Sequence, residues 1–512
     1  YSSNELKHRG RDSDNLIINE NYCLRSFRNK IIDLSSKGDQ PFEDVEQKYI
    51  ICFNGIIYNN KELRTLLINR YNQKFKSYSD TETILNGYKV FKHEFFSMLE
   101  GQWSVLILNK KTNEVQISRD RFGTKPLYYS KLKNKILISS EIKALKTILG
   151  SNVKVNLKRT NEYFKKGITD DDEHTFYEEI KTFKKNSIYS IRDNKITYHS
   201  KIWDFTKPQS TSISLNKLKP IIFDAIKKST YSDVSIAVPL SCGIDSNSIM
   251  SSLKQMNLLN NLNVKCFSVE PPEAQEDLSA LKKALKFYNC EYTYLKIKDN
   301  DLNYFDEIDN LLKIQDEPLF NSSYLYQLLL RKTIHQDNIK VVLTGDGADE
   351  IFGGYKKVYY SYLASAFKVC TKKEFIKILK SSNSLMNCTP FDLIKDIKKY
   401  FYNGINKRNV QSNMSGYKLL KNEYDIEIDH RSDYEYENIK SFHDVYHFFF
   451  ELMERFRLDV THHLRCEDRI SSYYHICSRP SFLNHNLIEQ VWQVNFLEFM
   501  KNGSNKNILR KV

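Results

Sequence analysis

The sequence predicts two domains of different class: a strand-rich first half and an α/β second half built on a doubly wound parallel sheet with helical additions. Three observations carry this. Residues 1–200 break into short β-prone runs separated by turns containing Asn and Gly. Residues 235–344 alternate apolar strand-like runs with helix-like segments, the rhythm of parallel βαβ units. Between them, Asp204 to Ser214 carries Pro, Gln, Ser and Thr without apolar period and reads as a linker.

In order, the first half offers strands at Tyr49–Phe53, Trp103–Leu108 and Val115–Ser118. After the linker, Leu215, Leu218, Ile221, Ile222, Ala225 and Ile226 recur at helical spacing, predicting a helix over 215–228. Strands follow at 235–240, 264–270, 291–297 and 340–344. Residues 360–450 read as helical, rich in Lys, Tyr and Asn, with no recognisable chemistry. With 512 residues, 41% hydrophobic and 27% charged, the chain can bury cores in both parts. The net charge of +14 is dispersed rather than gathered into basic blocks, so a solvated surface is expected and nucleic-acid partners are not. Nine Cys occur without a Cys-x-x-Cys pair, which argues against zinc ribbons, iron–sulfur clusters and a disulfide scaffold. No run of 18 apolar residues and no signal peptide is visible, so the expectation is a cytoplasmic protein without a membrane span.

Two loops carry the chemistry. Ile236-Ala237-Val238-Pro239-Leu240 runs into Ser241-Cys242-Gly243-Ile244-Asp245-Ser246 and then a helix start. A strand, a short Gly-bearing turn and a helix N-terminus form a phosphate cradle, and Asp245 adds a carboxylate that can hold Mg²⁺. The spacing is not that of a Walker loop. The second loop is Thr344-Gly345-Asp346-Gly347-Ala348-Asp349-Glu350-Ile351-Phe352-Gly353-Gly354-Tyr355. Its glycines permit close backbone approach, and its three carboxylates require a nearby cation. A nucleotide with Mg²⁺ between the two loops meets that need.

Ser-x-Gly-x-Asp-Ser resembles the pyrophosphate loop of ATP pyrophosphatases. With Gln315-Asp316-Glu317-Pro318, Glu467-Asp468-Arg469-Ile470-Ser471, Arg479-Pro480-Ser481-Phe482-Leu483 and Gly503–Arg510, the second half resembles the glutamine-dependent asparagine synthetase family. The first half resembles a class II glutamine amidotransferase domain through His8-Arg9-Gly10-Arg11-Asp12, Phe53–Asn59, Ser79-Asp80-Thr81-Glu82, Arg119–Tyr129 and Ser140–Leu145. The resemblance implies an amidotransferase domain at 1–203 with an antiparallel β-sandwich flanked by helices (Ntn-hydrolase-like), a linker at 204–214 and a synthetase domain at 215–512. It implies adenylation of a carboxylate by ATP, aspartate by default, then attack by ammonia to give an amide, AMP and pyrophosphate, as in asparagine biosynthesis. Ser241, Gly243, Asp245 and Ser246 would cradle pyrophosphate, and Leu240, Val269 and Gly345 would contact adenosine. Asp245 and Asp349 would hold Mg²⁺, Lys506 would act at the α-phosphate, and Asp346 would serve amide formation. Arg28, Asn54, Gly55 and Asp80 would bind glutamine. Small-molecule substrates are the expected partners, with a homodimer allowed.

The chain departs from the family pattern at several points. Residue 1 is Tyr where the family opens with its nucleophilic Cys, and His8 follows almost at once, so the opening segment is expected to be missing. Neither Cys23 nor Cys52 sits where it could substitute. Truncation is likewise expected after Val512. Cys242 replaces a usual Gly, Ile56 an acidic residue, Cys477 a Glu and Asn484 an Asp. The last two predict an amidated acid other than aspartate, such as a carboxylated sugar. Further readings are an intramolecular β-lactam-synthetase-like ligase, disfavoured by Asp346, a tRNA-modifying pyrophosphatase, and a relative that only binds nucleotide.

Overall fold

The central strand runs of the second half, Ile236–Pro239 and Val341–Thr344, are apolar on both faces because each is covered on both faces. In the computed structural model, which describes residues 3–166, 169–170, 172–204, 213–270, 278–297, 303–319, 323–355, 362–363, 366, 370–386, 460–500 and 504–511, five parallel strands form one sheet. Their order is Tyr292–Lys296, Val264–Glu270, Ile236–Pro239, Val341–Thr344 and Cys477–Pro480. Ile236, Val238, Val341 and Leu343 face a core shared with the helices Leu215–Ser229, Ile244–Gln255 and His485–Val491. Ala237 and Val342 face the opposite layer, against Leu330 and Ile334 of helix Tyr324–Gln336. This is the doubly wound arrangement.

The four expected strands and the helix at 215 are all present. The fifth strand, Cys477–Pro480, was not expected. Among the described residues it pairs only with Val341–Thr344, and an edge strand tolerates Pro and polar residues that would argue against a central one. Its Arg479 is fully buried, donating to the carbonyls of Ser229 at 2.9 Å and Tyr231 at 2.6 Å.

The first half holds a six-stranded antiparallel sheet in the order Lys195–Lys201, Ser187–Arg192, Glu114–Arg119, Gly101–Asn109, Tyr49–Ile57 and Phe42–Glu43. One face packs Ile51, Ile57, Trp103 and Val105 against Leu63, Leu67, Ile84 and Leu85 of the helices Asn60–Tyr71 and Asp80–Phe91. The second helix starts where its sequence says: Ser79 caps it by accepting from the Thr81 N–H, and Asp80 and Glu82 sit in its first turn. Elsewhere, Ile117, Tyr189 and Ile191 pack on Leu127 and on Tyr129, Ile136 and Ile138 of a three-stranded sheet, Lys135–Ser139, Tyr128–Leu132 and Ile180–Thr182. The expected antiparallel sandwich flanked by helices is thus present.

Most of the expected linker, 205–212, and 387–450 of the helix-like stretch lie outside the described residues. Among the described residues no helix is long and apolar enough to cross a membrane.

Candidate functional site

The strands Ile236–Pro239 and Val341–Thr344 are neighbours, and the chain reverses its direction of travel across the sheet between them. Both chemistry-bearing loops leave the carboxyl ends of these two strands, the crevice where open α/β sheets bind ligands.

The first loop is organised by its own serines. Ser241 N–H donates to Ser246 Oγ at 3.1 Å, and Gly243 N–H donates to Ser241 Oγ at 3.1 Å. Asn247 Nδ2 spans the carbonyls of Ser241 (2.9 Å) and Gly243 (2.7 Å). The helix Ile244–Gln255 begins immediately after, with Asp245 in its first turn. An α-helix leaves its first N–H groups without intrahelical partners, so this end favours anions. Leu240 is buried, its N–H bonded to the Phe267 carbonyl at 2.7 Å. Val269 lies two residues further along that neighbouring strand, partly buried.

The second loop closes against the first. A Cβ on Gly345 would stand 2.8 Å from Asp245 Cβ, so only glycine allows the two loops this approach. Gly347 adopts φ +88°, and a side chain there would overlap Leu483. Lys506 reaches the crevice from the far end of the chain, anchored by Asn505 Nδ2 donating to the Gly354 carbonyl at 3.2 Å and by Asn507 N–H donating to the Phe499 carbonyl at 2.9 Å. Its backbone is left-handed, φ 48°, a cost that a non-glycine residue bears only where the surroundings impose it. Its buried Nζ lies 2.7 and 2.6 Å from the two oxygens of Asp245 and 2.7 Å from Asp349 Oδ1. Burial, together with the charges of Asp349 and Asp346, raises Asp245 above the ordinary carboxylate range despite Lys506. The pair Asp245 and Asp349 therefore presents hard oxygen donors already gathered around a cation, a donor set that suits Mg²⁺. Among the described residues no three His, Cys, Asp or Glu side chains form a complete metal site, so such an ion would need phosphate oxygens as well.

Asp346 does not meet Lys506. Thr344 Oγ1 donates to its Oδ2 at 2.6 Å, and His463 Nε2 lies 2.9 Å from its Oδ1. Burial pushes Asp346 up, and the His463 charge and the two hydrogen bonds outweigh this and hold it below the ordinary range. Nearby Glu350 is pushed up to about 7 by burial.

Three of the four expected glutamine residues, Asn54, Gly55 and Asp80, also lie together. Asn54 and Gly55 lie within strand Tyr49–Ile57, and Asp80 at the helix start accepts from the Ile57 N–H at 3.1 Å. Burial pushes Asp80 up to about 6. Asn54 Nδ2 is buried without a hydrogen-bond partner among the described residues, a donor left over for something else. A Cβ on Gly55 would overlap the Gln102 carbonyl and crowd Trp103 Cα. Gly55→Ala should therefore force the two strands apart and cost about 2–3 kcal/mol, read as a lowered denaturation midpoint. Arg28 is committed differently from the expectation. Its terminal nitrogens donate to the carbonyls of Ser35, Ile32 and Asp33 and to Asp39, so it braces the 32–39 loop. Cys52 is inert, its thiol pushed up to about 11 by burial.

A glutamine amidotransferase domain model matches residues 1–203 and an asparagine synthase model matches residues 217–512. The chain belongs to the asparagine synthase family. Asparagine synthetase (glutamine-hydrolyzing) 1 of Bacillus subtilis is 30% identical over 354 residues, 68% of this chain and 54% of that protein. A provisionally named asparagine synthetase 2 of Methanocaldococcus jannaschii is 29% identical over 381 residues, 68% and 71% of the two chains. Amidase chry2 of Gibberella zeae is 27% identical over 375 residues, 68% and 54%. The chain thus matches about half the length of the Bacillus and Gibberella relatives.

Several motifs that point to this asparagine synthase relationship prove to be elements of the contact between its two halves. Arg9 bridges Glu141 and Asp468, each at 2.7 Å, and Lys125 meets Asp468 at 2.6 Å. Arg465 joins Asp170 and Glu317, and Arg469 donates to Tyr128 Oη at 2.8 Å. All of these side chains are buried or nearly so. Glu467 pairs with buried Arg331. Cys477 and Ile56 lie in one apolar cluster with Ile32. Cys477 aligns with Val341 at the amino-terminal start of its strand, opposite in direction from the loops. Asn484 caps helix His485–Val491 by accepting from the Leu487 N–H at 3.1 Å. Cys477 therefore lies at the end of its strand away from the crevice loops, whereas Asn484 follows Leu483, which packs against Gly347 of the second loop. Spacing alone could not separate a substrate motif from an interface motif, because both bring charged residues into buried positions.

Proposed function

We propose that the chain is an ATP-dependent amide-forming ligase that adenylates a carboxylic acid, aspartate by default, and gives the acyl group to ammonia. One observation carries the reading: Lys506 Nζ is held between Asp245 of the first loop and Asp349 of the second, across 261 residues in one case. No packing requirement explains a buried ammonium with two acidic partners at a strand-end crevice, whereas a nucleotide site does.

An oxygen of the substrate carboxylate attacks the α-phosphorus of ATP. The bond to the bridging oxygen breaks, and pyrophosphate leaves with the electron pair. Ser241, Gly243, Asp245 and Ser246 receive it at the helix N-terminus, and Lys506 offsets the charge that develops at the α-phosphate. Leu240, Val269 and Gly345 border the adenosine. Asp245 and Asp349 would hold Mg²⁺, which would supply neutralisation of phosphate charge when bound. Ammonia then adds to the acyl carbon, AMP leaves, and the proton shed by nitrogen passes to Asp346. In the first half, Asn54 Nδ2 and the Gly55 N–H form the oxyanion site for glutamine, with Asp80 at its amino group. The unpartnered Asn54 donor supports this placement. The nitrogen source is glutamine or free ammonia.

The test is pyrophosphate release with ATP and ammonia across a panel of carboxylic acids that includes aspartate. Release stimulated by an acid, with one amide formed per pyrophosphate, is expected. If no acid stimulates release, the ligase reading fails. Turnover of an acid independent of ammonia and glutamine would instead mark an intramolecular ring closure.

A further inference from the structure

We propose that His463 is the positioning residue of the amide-forming step, holding Asp346 ionised and aimed to take the proton from the attacking nitrogen. This rests on the ligase reading above.

Three separate elements fix the arrangement. His463 lies on the helix over residues 460–473, Asp346 follows strand Val341–Thr344, and Tyr324 opens helix Tyr324–Gln336. His463 Nε2 is 2.9 Å from Asp346 Oδ1, and its Nδ1 is 3.2 Å from Tyr324 Oη. The imidazole also stacks on the Tyr324 ring, centroids 5.7 Å apart at 29°. With Thr344 on the other oxygen, the carboxylate is held from both sides and cannot turn freely. The charged and titratable groups facing this pair are Glu350, Glu467, Cys466, Arg331 and Tyr324. Burial lowers the His463 value, but Asp346 more than offsets it and the imidazole rises to about 9. At neutral pH the pair is imidazolium and carboxylate.

That state suits the reaction. When ammonia adds, the N–C bond forms and the C–O bond to phosphate breaks, and AMP carries away the electron pair. The nitrogen then bears one proton too many, which becomes strongly acidic as the amide carbonyl re-forms. A carboxylate of low basicity accepts it, provided that it is ionised and correctly aimed. His463 secures both conditions while touching no substrate.

Sign follows from the raised value: the imidazolium is present below about 9 and lost above it. Amide formation should fall as pH rises through that value, measured at a constant concentration of unprotonated ammonia. The experiment uses the full chain with two readouts, acid-dependent exchange of pyrophosphate into ATP and amide product. His463→Leu should lower amide kcat by about 10-fold or more and adenylation far less. His463→Gln keeps an N–H donor without the positive charge, so it should recover only part of kcat, to about the level the unsubstituted chain keeps above pH 9, and show no alkaline limb. An unchanged kcat and pH limb in His463→Leu would overturn the proposal. So would equal loss of both half-reactions with no rescue by Gln, the signature of a merely structural residue. If the unsubstituted chain shows no acid-dependent exchange, the ligase reading falls first and this one with it.

Discussion

Lys506→Met should lower acid-dependent pyrophosphate release by roughly 100- to 1000-fold, a transition-state loss of about 3–4 kcal/mol, while changing ATP affinity much less. The methionine fills a similar volume, so packing around buried Ile508 and Leu509 is retained. What is removed is the cation 2.6–2.7 Å from Asp245 and Asp349. The two carboxylates then repel each other at a partly buried site, and Asp245, already raised by burial and its acidic neighbours, rises further. Pyrophosphate release, with ATP binding measured separately, decides the outcome. Equal weakening of ATP binding and turnover would show that Lys506 holds the ground state only.

Asp468→Ala should destabilise the protein by about 3–5 kcal/mol, because it leaves two buried cations with less charge around them. Arg9 at 2.7 Å and Lys125 at 2.6 Å both lose their shared carboxylate, and Arg9 keeps only Glu141. Burial pushes Asp468 up, and the charges of Arg9 and Lys125 outweigh it and hold it below 3.8. The stabilisation is therefore complete above that ordinary value and is lost as pH falls through the lower, folded one. Denaturant unfolding near neutral pH reads the mutation, and an acid titration reads the linkage. A midpoint within experimental error of the parent would show that water replaces the ion pair at no cost.

Much of the fold was legible because its signals are local. The central strands Ile236–Pro239 and Val341–Thr344 are almost wholly apolar, since both of their faces are covered. The helix at Leu215 shows its period, and the two loops show Gly and carboxylates at strand ends. Cys477–Pro480 was not legible as a strand, because an edge position permits the Pro and buried Arg that would normally deny one. His463 was not legible as a site residue, because its partner Asp346 lies 117 positions away and a lone histidine carries no period.

The sequence alone determined the two-part architecture, the Gly-bearing loop at Ser241 to Ser246 and the acidic Gly-rich loop after Thr344, while Lys506 entered only through the family resemblance. Those features depend on residue type at short spacing, where backbone freedom and charge speak directly. The tertiary structure alone decided who pairs with whom. It set Lys506 between Asp245 and Asp349, gave Asp346 to His463, turned Arg28 to its own loop, and made Arg9, Asp468 and Lys125 a buried joint between the halves. Such pairings are chosen by which side chains the folded core forces out of water together, and no local pattern records that choice.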